Sequence, residues 1–251
     1  MTRRARRTTR TFDIGDLAFT AMTDAPSGVA PAPAVVLVHG IGVSHRYLAR
    51  LHRVLAERTA VVSIDLPGFG GLPKPRRDVD VEAMASGIVA VLSELELGRA
   101  VLVGHSMGAQ WVVEAALQRS DLVERVVTIG PVTDDRHRSA MAQTRALAVD
   151  TLAETPWVNA IIFSDYLRCG ILWYLAQLRH MIAYPLEERV AELSVPLLVV
   201  RGERDPIAST RWCRELRDRA PRAALVHIPH SHHVAQHSAP RAVAAAILAH
   251  G

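Results

Sequence analysis

Residues Ala100–Gln110, AVLVGHSMGAQ, join a short apolar run to the start of a helical pattern through Gly104–Gly108. The joining residues match G-x-S-x-G, which has only three fixed positions and often occurs by chance. Its setting makes it more specific, because strand-forming residues precede it and a helix-forming run follows at once. The segment therefore predicts a strand, a sharp turn that carries Ser106, and a helix.

The glycines of this turn have a steric role. A side chain at Gly104 or Gly108 would collide with neighbouring backbone, and the serine between them is held in a strained conformation. The turn places Ser106 at the carboxyl end of a strand, where open parallel sheets bind ligands. It also places the Met107 amide at a helix N-terminus, which favours an oxyanion. The alternative is a serine that only caps the helix.

Outward from this turn, short apolar runs alternate with longer segments of helical periodicity. Such alternation is typical of parallel strands covered by helices on both faces. A hairpin comes first, with strands at Thr9–Phe12 and Leu17–Met22 around Gly15. The further predicted strands are Ala34–Val38, Ala60–Ile64, Ala100–Val103, Val126–Ile129, Pro196–Val200 and Ala223–Ile228, and the predicted helices are Tyr47–Glu57, Val81–Leu95, Met107–Arg119, Thr210–Asp218 and Pro240–Leu248.

The alternation is interrupted between Ile129 and Pro196 by a segment that reads as helical. We assign residues 133–193 to a helical insertion after the sixth strand, and residues 11–132 and 194–251 to an α/β core. Half of the chain's aromatic residues fall in the insertion. They either pack a small core of their own or line an apolar pocket beneath a lid, and both can hold together. The candidates for the pocket are Trp157, Phe163, Tyr166 and Trp173.

This arrangement resembles the α/β-hydrolase superfamily, from about residue 11 to the end of the chain. The resemblance implies a mostly parallel central sheet flanked by helices, with a helical lid inserted after the sixth strand. The run Val38–Gly42 resembles the family's His-Gly loop, whose backbone amide after the glycine helps to bind the oxyanion. That amide belongs to Ile41, with Gly42 the less favoured choice, and the other donor is Met107. His39 is expected to support the loop.

A second turn also matches the family. Asp65–Gly70 resembles its D-x-x-G-x-G turn, which borders the pocket and usually does no chemistry. Many relatives have serine after the last glycine, whereas Gly71 stands here. We therefore assign this turn no catalytic role and expect a local difference in the loop.

A serine nucleophile needs a base, and imidazole suits both proton removal and later donation to the leaving group. The resemblance places the base in the loop after the last strand, where Ile228-Pro229-x-x-x-His233 matches the family's pattern. His232 is the alternative. The additional imidazoles of His230, His232 and His237 are expected to face solvent.

The base in turn needs a carboxylate that fixes its tautomer. The loop Arg201–Pro206 matches the family's G-x-x-D pattern and selects Asp205, so the chain order Ser106, Asp205, His233 is the one expected of this fold. Glu203 is a less favoured acid, and a further possibility is that Asp205 only begins a turn. Fallbacks after the sixth strand are Asp134 and Asp135.

The expected function is that of a serine hydrolase. We expect it to cleave a small hydrophobic carboxylic ester, lactone or thioester through an acyl-enzyme, without a cofactor or a metal. Serine at the nucleophile position argues against the dehalogenase and epoxide-hydrolase branches. The alternatives are a carbon-carbon bond hydrolase of the meta-cleavage or diketone type, or a perhydrolase, with the same triad. A hydrolase-like ligand-binding protein with little turnover is a third reading.

Bulk properties limit the choice of partner and compartment. A chain of 251 residues that is 49% hydrophobic can build one α/β domain. It has no run of about 18 apolar residues, so no membrane contact is expected. The basic start lacks the apolar segment of a secretion signal, so we expect a cytoplasmic protein.

The charge of +4 is spread over predicted helices, which argues against nucleic acid as a partner. Residues 1–10 are expected to form a basic, disordered tail. Cys169 and Cys213 show no metal-ligand spacing and are expected to be free thiols. The sequence says nothing about the oligomeric state.

Overall fold

The computed structural model describes residues 6–26, 32–134 and 156–250. Within them one mixed sheet of eight strands runs through the molecule in the order β1-β2-β4-β3-β5-β6-β7-β8. The strands are β1 (Arg6–Ile14), β2 (Leu17–Ala25), β3 (Val35–Val38), β4 (Val61–Asp65), β5 (Ala100–His105), β6 (Val123–Ile129), β7 (Leu197–Gly202) and β8 (Ala223–Ile228).

The sheet is mostly parallel, as predicted. β1 and β2 form the predicted hairpin, and β2 pairs antiparallel with β4, whereas every other pairing is parallel. β3, β4, β5 and β7 are buried along their whole length, which explains their continuous apolar sequences. The carboxyl ends of the parallel strands therefore meet at one edge.

Helices follow the strands and begin at recognisable caps. The side chains of Ser44, Asp80 and Ser209 each accept a hydrogen bond from a backbone amide in the first turn of α1, α2 and α7. The helices are α1 (His45–Leu55), α2 (Val81–Leu95), α3 (Gly108–Gln118), α4 (Pro156–Cys169), α5 (Ile171–Ala183), α6 (Leu186–Arg189), α7 (Thr210–Arg219), α8 (Ala235–Ser238) and α9 (Pro240–Ala249).

Two apolar layers enclose the sheet. On one face α1, α8 and α9 pack around residues such as Leu51 and Ile247. On the other face α2, α3 and α7 pack around residues such as Trp111 and Trp212. The three-layer arrangement is the predicted α/β architecture, and it leaves the carboxyl edge of the sheet to be covered by loops and by the residues between β6 and β7.

The predicted disordered tail is wrong for Arg6–Arg10, which belong to β1. These residues continue the ladder with β2, where Arg7 is the partner of Asp24. The Arg7 guanidinium donates to the Asp24 carboxylate at 2.7 Å, and the Arg10 guanidinium lies 4.7 Å from the centre of the Phe12 ring. Pairing with β2 thus gives Arg7 and Arg10 specific contacts, whereas the sequence pattern indicated only a basic segment.

The described residues between β6 and β7 are largely helical. They form α4, α5 and α6, while residues 135–155 of the predicted insertion lie outside the described ranges. None of the helices in the described ranges combines the length and the apolar character that crossing a membrane requires.

Candidate active site

Ser106 occupies a tight turn between β5 and α3, with its backbone at φ +57° in the left-handed region. A Cβ on Gly104 would lie 2.1 Å from the Gly108 carbonyl oxygen, and one on Gly108 would lie 2.6 Å from the Val38 carbonyl oxygen. The Ser106 amide donates to the Ile129 carbonyl at 2.9 Å, which ties the turn to β6. Both glycines are therefore required by close backbone contacts, as the sequence predicted.

A buried carboxylate-imidazole pair stands at the same edge of the sheet. His233 Nδ1 donates to Asp205 Oδ2 at 2.9 Å, while Asp205 Oδ1 accepts from the Ile207 and Ala208 amides at 2.8 and 3.0 Å. Burial alone would raise the pKa of Asp205, but His233 and the two amides outweigh it and the pKa lies below its usual value. A proton on Nδ1 leaves His233 Nε2 as the acceptor of the neutral ring.

The pair lies next to the serine turn. The His233 ring centre is 4.7 Å from that of His105, the residue that precedes Ser106. Gly130, at the end of β6, completes the contact, because a Cβ there would lie 2.9 Å from His233 Nδ1. The structure thus brings Ser106, Asp205 and His233, from the ends of β5, β7 and β8, to one region.

The less favoured acids have other partners. Glu203 accepts from the His230 amide at 2.9 Å, and Asp134 accepts from the Ser209 hydroxyl at 2.5 Å and from the Arg211 guanidinium. Asp135 lies outside the described residues. Asp205 is therefore the carboxylate in hydrogen-bond contact with the His233 ring.

The additional imidazoles differ from one another in exposure. The His230 side chain is 79% exposed and His232 is half-buried, whereas His237 is only 5% exposed. The expectation that His237 faces solvent is wrong, because the short helix α8 packs it against α1, where its ring nitrogen approaches the Tyr47 carbonyl at 3.4 Å.

The His-Gly loop passes directly beside the serine. A Cβ on Gly40 would lie 2.9 Å from Ser106 Cβ. His39 Nδ1 donates to the Gly40 carbonyl at 2.7 Å, and His39 Nε2 accepts from the Leu66 amide at 3.2 Å. Because the peptide is planar and trans, holding the Gly40 carbonyl also fixes the Ile41 N–H in the opposite direction. His39 supports the loop, as predicted.

The expected oxyanion donors are buried and available. Ile41 is 6% exposed and Met107 is fully buried. Among the residues described, neither amide donates a hydrogen bond to another group of the protein. The pKa of His39, lowered chiefly by burial, keeps its ring neutral in this pattern of bonds.

Two of the four aromatic pocket candidates contact the loops around the serine. Tyr166 packs on Gly42, where a Cβ would lie 2.3 Å from the Tyr166 ring. Trp173 packs on Gly68 and Phe69 of the D-x-x-G-x-G turn, with 6.2 Å between the Trp173 and Phe69 ring centres. The helices between β6 and β7 therefore touch both turns.

The remaining candidates are Phe163 and Trp157. Phe163 is 65% exposed, so its assignment to an enclosed pocket is wrong, because it projects from the outer side of α4. The side chain of Trp157 lies outside the described residues. Tyr174, which the sequence did not distinguish from the other aromatics, lies 5.5 Å from Tyr166 and shares its contact with Gly42.

Sequence reasoning also missed two buried polar residues beside the serine. Tyr47 was predicted only as the start of a helix, and His105 only as a variable position of G-x-S-x-G. In the fold the Tyr47 hydroxyl bonds the Gly40 amide at 3.1 Å and the His105 ring. The position of His105 inside the motif was the one signal available, since Tyr47 is remote in sequence.

Within the part of the chain that the structure describes, no group of three His, Cys, Asp or Glu side chains is arranged to hold a metal ion. Cys169 and Cys213 are buried free thiols, as expected. Burial raises the pKa of Cys169 to about 11, so it stays protonated near neutral pH.

Comparison with known proteins supports the α/β architecture described above. The model of the Alpha/beta hydrolase family matches residues 35–246. An uncharacterized Mycobacterium tuberculosis protein is 40% identical over 105 residues, or 41% of this chain and 31% of that protein. The mouse sn-1-specific diacylglycerol lipase ABHD11 is 39% identical over 109 residues, or 42% of this chain and 35% of the lipase. These two alignments thus span about a third of the length of these two relatives.

The similarity to solved structures extends over almost the whole chain. The enol-lactonase from Burkholderia xenovorans superposes with a TM-score of 0.81 at 20% identity, covering 96% of this chain and 98% of the lactonase. At this level of identity the match establishes the common fold.

Proposed function

The chain belongs to the alpha/beta hydrolase family, and from that membership we propose that it is a serine hydrolase acting on a small hydrophobic carboxylic ester, lactone or thioester. The observation that carries the proposal is the buried Asp205–His233 pair, at 2.9 Å, packed against the residue that precedes Ser106. A base with a fixed tautomer beside a strained serine is the combination that nucleophilic acyl transfer needs.

The first half of the reaction forms an acyl-enzyme. Ser106 Oγ attacks the carbonyl carbon of the substrate while His233 Nε2 takes the hydroxyl proton, and the imidazolium is stabilised by Asp205. The Ile41 and Met107 amides bind the oxyanion, where each such donor is worth about 10²–10³ in kcat. The tetrahedral intermediate then collapses, and His233 returns the proton to the departing alcohol or thiol.

The second half releases the acid. A water molecule gives a proton to His233 Nε2 and attacks the acyl carbon, and collapse of the second intermediate breaks the bond to Ser106 Oγ. The proton returns from His233 to that oxygen, so the enzyme is regenerated. These steps use only groups of this chain and water.

The substrate class is proposed from the aromatic side chains on the turns around the serine. We assign α4 and α5 to a lid, because Tyr166 and Trp173 cover Gly42 and Gly68. Apolar rings at these positions favour a hydrophobic acyl or alcohol part. Similarity to a diacylglycerol lipase and to an enol-lactonase supports an ester or lactone.

The nucleophile is tested with a fluorophosphonate probe and intact-mass measurement. The wild-type protein should gain one adduct, and Ser106→Ala, folded as judged by circular dichroism, should gain none. A folded wild-type protein that stays unlabelled would contradict the proposal and would favour a ligand-binding protein with little turnover.

The base is tested with p-nitrophenyl esters of graded chain length. Because His233 is the proposed proton acceptor, His233→Ala should lower kcat by about 10³-fold or more. The matched control is His232→Ala, which removes the neighbouring half-buried ring and should keep kcat close to the wild-type value. Equal kcat values for His233→Ala and wild type would transfer the role to another residue.

A further inference from the structure

A buried pair of polar side chains, Tyr47 and His105, lies between the loops proposed to bind the oxyanion and to carry the base. Tyr47 is on α1 and 1% exposed, and His105 ends β5 and is 3% exposed. The Tyr47 hydroxyl bonds both the Gly40 amide, at 3.1 Å, and His105 Nδ1. His105 Nε2 lies 3.0 Å from the His233 carbonyl oxygen.

The donor and the acceptor of each hydrogen bond in this series follow from the groups at its two ends. The Gly40 amide can only donate, so the Tyr47 oxygen accepts there and donates its own proton to His105 Nδ1. The His233 carbonyl can only accept, so His105 carries its proton on Nε2. This arrangement gives every donor an acceptor. In the reverse arrangement His105 would carry its proton on Nδ1, and Nε2 would have no hydrogen to donate to the His233 carbonyl.

The chain of bonds connects the parts that must be placed relative to Ser106. Gly40 precedes Ile41, the proposed oxyanion donor, and the far end holds the backbone of His233, the proposed base. His105 is bonded to Ser106 itself through the peptide. Taking the proposed function as its premise, we propose that Tyr47 and His105 are positioning residues that hold the oxyanion loop and the base loop at fixed distances from the serine.

Two further observations favour positioning over simple packing. The ring centres of Tyr47 and His105 are 5.2 Å apart and edge-to-face, and the His105 ring lies 4.7 Å from that of His233, so movement of one ring is passed to the next. The pKa of His105 is lowered to about 3, mainly by burial and secondly by the neighbouring His233. A neutral His105 keeps the bonding pattern in ester assays near neutral pH and does not oppose the imidazolium that His233 forms in the reaction.

The test compares two buried tyrosines that each lose one hydroxyl group. Tyr47→Phe should lower kcat for p-nitrophenyl esters about tenfold, since a shift of about 1 Å in a catalytic group can cost up to 10² in rate. KM should change little, and inactivation by the fluorophosphonate should slow by the same factor as kcat. The matched control is Tyr184→Phe, because Tyr184 is 3% exposed and its hydroxyl donates to Glu114 at 2.8 Å, on α3.

Both variants should lower Tm, since Tyr47→Phe removes the bonds of the hydroxyl to Gly40 and His105 and Tyr184→Phe removes the bond to Glu114, but Tyr184→Phe should keep the wild-type kcat. Equal kcat values for the two variants would overturn the positioning role. A wild-type protein that takes no fluorophosphonate adduct would instead remove the premise. The two failures are therefore distinguishable.

A second pair of variants tests the hydrogen bond between His105 and the His233 carbonyl. His105→Gln keeps an N–H that can reach the His233 carbonyl, whereas His105→Leu has none. We expect kcat to fall further in His105→Leu than in His105→Gln, at equal content of folded protein measured by near-ultraviolet circular dichroism. Equal losses in the two variants would show that the hydrogen bond to His233 does not position the base.

Discussion

Ser106 keeps a backbone conformation that costs an L-residue about 1–2 kcal/mol. Neighbouring backbone imposes it, because the Ser106 amide is bound to the Ile129 carbonyl and its own carbonyl accepts from the Ala109 amide at 3.1 Å. Gly40 lies on the other side, where an added Cβ would be 3.4 Å from Ser106 Oγ. The strain therefore fixes the oxygen beside the loop that is proposed to bind the oxyanion.

Gly130 provides a test of the acid-base contact at the level of one atom. It has φ +54°, and an added Cβ would lie 2.9 Å from His233 Nδ1 and 3.1 Å from Asp205 Oδ2. Gly130→Ala should therefore lower the free energy of unfolding by about 1–2 kcal/mol through backbone strain. It should also lower kcat about 10-fold to 100-fold by displacing the imidazole. Urea denaturation and ester hydrolysis measure the two effects.

Gly15→Ala is the matched control for this substitution. Gly15 has φ +63° in the β1–β2 turn, and an added Cβ would meet nothing within 4 Å. The backbone strain is similar and the site is untouched, so Gly15→Ala should lose about the 1–2 kcal/mol that strain costs while kcat stays at the wild-type value. Equal kcat values for the two variants would refute the contact argument.

At the level of elements, α4 is anchored to the start of α1 by one buried carboxylate. Asp165 is 1% exposed and accepts from the Ser44 hydroxyl at 2.6 Å and from the Arg46 guanidinium at 2.8 Å. Ser44 also caps α1, which follows the His-Gly loop. The same carboxylate thus ties the proposed lid to the loop beside the serine.

Asp165→Ala should loosen this attachment. It leaves two donors without their acceptor, and we expect a loss of about 1–3 kcal/mol in the free energy of unfolding. Hydrogen exchange followed by mass spectrometry should show faster exchange in peptides covering residues 159–183, and little change in β3 and β5, which lie within the sheet.

The matched control for the anchor is Asp78→Ala. Asp78 contacts Arg179 and His180 on α5, but its side chain is 54% exposed, so its pairs are worth about 0–1 kcal/mol. Exchange in α4 and α5 should stay near the wild-type rate. An equal increase in both variants would show that burial of Asp165 does not decide the attachment.

Elements were predictable from sequence wherever a local pattern determines them. The hairpin, the parallel strands and the helices after them lie where apolar runs, caps and turn residues placed them, with ends shifted by a few residues. Contacts between elements that are distant in sequence could not be predicted. The packing of Tyr166 on Gly42 and the bond between Tyr47 and His105 join residues far apart in the chain. Only the tertiary fold decides which members of a helix face meet a given loop.

Across the whole molecule, several histidines are buried and neutral. Burial is the largest cause that lowers the pKa of His39, His52 and His105, and the pKa of His105 falls to about 3. Their burial could not be predicted from the sequence, because a lone imidazole has the same local pattern on the surface and in the core. Their protonation links the stability of the fold to pH.

The sign of this linkage follows from the direction of the shifts. Each of these rings binds a proton more weakly in the folded protein than in the unfolded chain, whose histidines titrate near about 6.5. The stabilisation is therefore complete above about pH 6.5 and is lost as the pH falls toward the folded pKa. Asp65 and Asp205, whose pKa values are also lowered, add a loss only below about pH 4. The histidines therefore dominate between these limits.

Urea denaturation between about pH 6 and pH 4.5 should show the effect as a slope. Each histidine that stays neutral in the folded state contributes a decrease of about 1.4 kcal/mol per pH unit in the free energy of unfolding. His105→Gln should reduce the wild-type slope by that amount. The control is Gly15→Ala, which changes no titratable group and should keep the wild-type slope. An unchanged slope in His105→Gln would mean that His105 takes up its proton in the folded state, and the direction assigned to the Tyr47–His105–His233 bonds would then fail below that pH.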